Sequence, residues 1–161
     1  MPAFIKSAKL AELCSADTRG RLSPHTGSNP GPSPHIDLIR CFEADLVPEN
    51  SFHHADHVRL AFAYLSEYPV LQALERFCAS LKRFADARGK SQLYHETITH
   101  AYFFLIQERM ARSSAADWEQ FASDNADLLI WKNGILSRYY HQATLQSDLA
   151  RRVFLFPDKG L

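Results

Sequence analysis

Residues 51–66, SFHHADHVRLAFAYLS, decide the fold class. On a helical wheel of ~100° per residue with His54 at zero, Val58, Ala61, Phe62 and Leu65 fall at roughly 40°, −20°, 80° and 20°. One apolar face therefore runs the length of the stretch, which is the pattern of a core-facing helix and not of a strand. His54 points into that face. His57, at roughly −60°, lies on its shoulder, next to His54 at three-residue spacing. His53 falls near −100°, and Asp56 and Arg59 face away.

The pattern continues downstream. Pro69 sits where a first helical turn tolerates it, and Val70, Leu71, Leu74, Phe77, Cys78, Leu81, Phe84 and Ala85 keep three-and-four spacing up to Arg88. Gly89 then supplies a left-handed terminator. A further helix spans about Tyr94 to Ala111. Ser114, with Asp117 three residues on, reads as the N-cap of a shorter helix through Ser123. Residues 125–140 read as broken helix interrupted at Asn133-Gly134, and a last short helix covers about Leu145 to Val153, before Pro157. Upstream, Ile36 to Ala44 is a short helix closed before Pro48. No alternating strand pattern or internal repeat is present. The expected fold is all-α, a compact bundle of about four main helices with short peripheral helices.

Residues 1–35 read differently. From Arg19 to His35 the sequence RGRLSPHTGSNPGPSPH is dominated by Gly, Pro and Ser and is read as a flexible connector. Phe4 to Leu13 has material for one short amphipathic helix. The expected organisation is thus a flexible N-terminal segment, 1–35, and a helical domain, 36–161. His25 and His35 are expected to be solvated.

With 161 residues, 46% of them apolar, the chain can bury a core without staples. Basic and acidic residues number 18 each, so no net field is available to hold a polyanion, and nucleic acid is not an expected partner. Cys14, Cys41 and Cys78 are widely spaced and unpaired in sequence, which suits a reducing compartment, with Cys78 as packing. No apolar run approaches a membrane span and the start has no secretory h-region, so a cytoplasmic location is expected. No phosphate loop or nucleophile elbow is present, hence no nucleotide cofactor is expected.

The histidines carry the functional reading. With His95 at zero, Thr99, Tyr102 and Ile106 fall at roughly 40°, −20° and 20°, so His95 faces inward; Glu96 sits at the edge near 100°, and His100 lies on the polar side. Two short reversals make the helices of His54 and His95 parallel, bringing their N-terminal ends to one end of the bundle. Three neutral imidazoles with an open position suit a divalent metal such as zinc or iron. His54, His57 and His95 are the candidate metal ligands, and Glu96 the candidate acid–base group or fourth ligand. Thr99 is placed to hold the His95 ring. Thr99 also stands where an HExxH zinc helix would carry its second histidine, which disfavours a zincin-type peptidase. His53 and Glu43 are further residues that could join the site, Glu43 being as readily a solvated helix-end carboxylate. Trp118 and Trp131 are read as anchors of the short helices. Asp148 with Arg151 or Arg152 fits an intrahelical pair.

Phe52-x-His54-x-x-His57-Val58 followed by Tyr94-His95-Glu96-Thr97-x-Thr99 resembles a pattern in small bacterial all-helical proteins of uncharacterised function. The endings Ser147-Asp148-Leu149-Ala150-Arg151 and Pro157-Asp158 are similar too, and the likeness covers about residues 36–158. It implies that these histidines act together and brings no activity with it.

Three functions fit these residues. One is a metal-dependent enzyme acting on an unidentified small molecule. The others are a non-catalytic sensor or carrier of a small ligand or metal, and a helical protein-interaction module.

Overall fold

A computed structural model of the protein describes residues 33–160. Of the expected segment 1–35, residues 1–32, with the helix expected at Phe4 to Leu13, His25 and Cys14, lie outside the described residues. The rest is all-helical, without strands among the described residues. The helices are α1 (Pro34–Glu43), α2 (His54–Glu67), α3 (Val70–Asp86), α4 (Glu96–Arg112), α5 (Trp118–Asp124), α6 (Gln142–Leu145) and α7 (Asp148–Arg152). Short 3-10 turns at Glu49–Ser51, Ser91–Leu93, Ala126–Leu129 and Ile135–Arg138 link them. No helix among the described residues is long and apolar enough to cross a membrane.

Helix α1 begins inside the stretch read as connector. Ser33 Oγ accepts the His35 N–H at 3.1 Å and Pro34 occupies the first turn, so Ser-Pro here is a cap and not a flexible joint. The Ser33 hydroxyl also donates to the Glu67 carboxylate, tying the start of α1 to the end of α2. His35 is half-buried, its ring 5.4 Å from that of Phe62, and not solvated as expected.

Helix α2 is the centre of the bundle and packs on α1, α3 and α4. Its burial is wider than one wheel face: Leu60, Ala63 and Tyr64 are as enclosed as Val58 and Ala61. A helix covered on several sides loses the one-sided pattern that a wheel detects. Helix α3 buries Phe77, Cys78 and Leu81 of the expected stripe, with Ala73 beside them, while Leu71, expected on that face, is exposed. Pro69 is its N-cap, one position earlier than read, and Gly89 takes the expected left-handed conformation at φ 63°.

The expected Ser114 cap is corrected. Asp117 caps α5, accepting the Gln120 N–H at 2.9 Å, because a carboxylate aimed at the first free amides also meets the helix dipole. The expected C-terminal helix from Leu145 starts later, as α7 from Asp148, where Ser147 Oγ caps it through the Ala150 N–H, and α6 precedes it as a separate short helix ending at Leu145. The break at Asn133-Gly134 is present, with Asn133 at φ 54°. A Cβ on Gly134 would meet the Ile130 carbonyl at 2.2 Å and the Tyr102 hydroxyl at 2.8 Å. Of the two tryptophans, Trp118 is buried and Trp131 is 59% exposed, so only the first is a core anchor.

Thr97 fastens the C-terminal segment to α4. Its hydroxyl donates to the Val153 carbonyl at 2.8 Å and accepts the Leu155 N–H at 3.1 Å. Thr97→Val keeps the shape and leaves both backbone groups without this partner, so it should destabilise the domain by about 1–3 kcal/mol. Urea unfolding measures this; a midpoint unchanged from wild type would refute the role.

Candidate functional site

The N-terminal ends of α2 and α4 do not close on each other. They enclose a cavity of about 640 Å³ whose walls include His54, His57, His95, Thr99, Tyr94, Tyr102 and Trp131. Helix α3 contributes Phe77, Leu81 and Phe84. All three inward histidines thus line one space. His53, exposed at the start of α2, stands at its rim.

Each imidazole is held differently. The His54 ring lies between Tyr102 at 4.7 Å and Trp131 at 5.1 Å, and its Nε2 donates to the Leu128 carbonyl at 2.8 Å. Burial lowers its pKa, and the carbonyl bond opposes that shift. His57 packs against the Phe52 ring at 4.3 Å and makes no side-chain hydrogen bond among the described residues. Burial, with a smaller contribution from neighbouring His54, pushes His57 down to about 3. It is therefore a neutral imidazole with its polar atoms unused by the described residues.

His95 is the N-cap of α4. Its Nδ1 accepts the Ile98 N–H at 3.2 Å, and its Nε2 donates to the Leu145 carbonyl at 2.8 Å. The two bonds assign the neutral tautomer with the proton on Nε2. Burial lowers its pKa first, and the nearby Arg151 charge works in the same direction. Thr99, expected to hold this ring, is not its partner; backbone groups do that work.

The three-imidazole metal site does not fit this arrangement. A ligating imidazole needs a free lone pair, and the one on His95 Nδ1 is taken up by the helix cap. No group of three or more His, Cys, Asp or Glu side chains among the described residues is disposed to hold an ion. Glu96, the expected acid–base partner, does not line the cavity. It turns towards α3, 3.4 Å from Lys82 Nζ, with His100 Nε2 at 3.9 Å. His100 is half-buried, not solvated, and its Nδ1 donates to the Glu96 carbonyl at 2.9 Å. Glu43 also stays out: it is neither solvated nor at the site, but pairs with Arg76 at 2.9 Å and accepts the Tyr64 hydroxyl at 2.9 Å.

Several walls escaped the sequence reading. Tyr102 was placed inward by the wheel but not assigned to the site; burial pushes its phenol up to about 12, so it stays protonated. Phe52 and Tyr94 flank the histidine motifs, and their position was the available signal. Arg151, read as an intrahelical partner of Asp148, instead donates to the Gln92 carbonyl at 3.2 Å and lines the cavity mouth. That contact spans 59 residues and has no local signature.

The lowered His57 pKa makes stability pH-dependent. The unfolded chain takes up a proton near pH 6.5, whereas the folded one resists it down to about 3. The stabilisation from a neutral His57 is complete above that upper value and is lost as pH falls, by up to about 1.4 kcal/mol per pH unit. His57→Phe should keep the packing and flatten the acid limb of stability against pH. Denaturant midpoints between pH 7 and about 5 (a range set by the linkage argument) measure it; parallel limbs in variant and wild type would refute it.

No family model, curated protein or solved structure matches this chain. The likeness of its histidine motifs to small bacterial helical proteins rests on those residues alone.

Proposed function

We propose that this domain binds a small, largely apolar molecule in the cavity between α2, α3 and α4, with His57 as the hydrogen-bond acceptor that orients it. The observation that carries the reading is a neutral imidazole, without a hydrogen-bond partner among the described residues, facing a space of about 640 Å³ walled mainly by aromatic and aliphatic side chains. Ligand pockets have this size and this composition, many apolar walls with a few convergent polar groups. Nothing among the described residues meets the ring nitrogens of half-buried His57, and a bound molecule can. A ligand hydroxyl or N–H would do so.

The same imidazole supports turnover as a second reading. A base within hydrogen-bond reach of a bound hydroxyl can take its proton, and a neutral His57 is in the protonation state that this requires. The acid–base role expected of Glu96 would then fall to His57.

Fluorescence titration with N-phenyl-1-naphthylamine, an uncharged apolar probe, tests occupancy. We expect saturable binding, weakened at least about tenfold in Ile98→Trp, which fills the space from α4; circular dichroism and thermal melts confirm that the variant is folded. 1-Naphthol should displace the probe about three- to tenfold better than 1-methylnaphthalene, the value of one neutral hydrogen bond. That preference should vanish in His57→Phe. Absence of saturable binding would overturn the proposal, and an unchanged preference would remove His57 from it.

A further inference from the structure

We infer that the ligand of this cavity is a small amphipathic acid, an apolar body in the interior with a carboxylate at the mouth on Arg151. The inference rests on the cavity being a ligand site and adds the chemistry of the ligand's polar end. It comes from the cations among the lining residues, Arg88, Lys90 and Arg151.

Two of these are already matched. Arg88 donates to Asp45 at 2.6 Å and to the Phe84 and Val47 carbonyls at 3.0 Å each, and its guanidinium lies 3.6 Å from the centre of the Phe84 ring. Lys90 pairs with Glu49, the one carboxylate among the described lining residues. Arg151 differs. It is exposed, it has the Gln92 carbonyl as partner, and it pairs with no carboxylate among the described residues. Its planar fork retains donors suited to a carboxylate.

The interior decides the ligand's direction. His54, His57 and His95 are all held towards the neutral form, so nothing inside offers a positive charge. A carboxylate drawn among Phe77, Phe103 and Ile106 would lose its hydration without a counter-charge, which is prohibitive. At Arg151 it keeps water on one side and meets a cation on the other. The apolar body then lies inward, towards His57.

Decanoate and 1-decanol share a chain and differ at the head. Their displacement of N-phenyl-1-naphthylamine should be compared in wild type and Arg151→Gln at low ionic strength. Arg151→Gln should weaken decanoate about three- to fivefold, the value of one partly exposed ion pair, and leave decanol unchanged. Arg151→Lys should retain part of the gain, and added salt should erode it in the wild type. Equal effects of Arg151→Gln on acid and alcohol, with the probe still bound, would overturn the carboxylate assignment and leave the cavity reading intact. Failure of the probe to bind the wild type would overturn both.

Discussion

The lone pair on His95 Nδ1 is committed to one free amide of α4, that of Ile98, and the site takes its form from that commitment. With Nδ1 accepting the Ile98 N–H, the remaining proton sits on Nε2 and reaches the Leu145 carbonyl. One uncharged ring thus starts the helix that forms one wall of the cavity and anchors the C-terminal segment beside it. The same ring cannot carry a proton on Nδ1 and still cap, which is why a neutral interior and a fixed wall come together. It also removes one donor from the expected set of three metal ligands.

The periodic elements were legible in the sequence because burial there is one-sided. Helix α3 repeats its apolar residues at helical spacing, and Gly89 ends it in the conformation that glycine tolerates. The inward direction of His54, His57 and His95, which line one cavity, followed from the wheel. What a wheel cannot supply is a partner. Leu145 is 50 residues from His95 and Leu128 is 74 from His54, so the hydrogen bonds that define these rings have no local pattern. Glu96 illustrates the same limit. At the edge of the inward face its direction depended on the neighbour, and Lys82 on α3 drew it away from the histidines. Ser114 and Asp117 were both capping residues by type, and the position of the chain after α4 selected the second.

An interior without charge constrains function more sharply than the number of histidines does. Buried imidazoles kept neutral can accept or donate one hydrogen bond each at little electrostatic cost, and two of the three are already engaged with backbone carbonyls. The remaining ring, His57, makes the cavity chemically directional. Among the lining cations, Arg88 and Lys90 are neutralised locally by Asp45 and Glu49.

The unequal burial of the two tryptophans gives the molecule an internal optical contrast. Trp118 is packed against Phe62 and Phe121, whereas Trp131 is open to water on one side and rests against His54 at the cavity wall. An indole in an apolar enclosure emits at shorter wavelength than one in contact with water. The emission of the native protein is therefore a sum of a blue component from the core and a redder one from the cavity edge. The redder component belongs to the indole that shares its surroundings with the histidines, so the chain carries its own label at the place where its chemistry is concentrated.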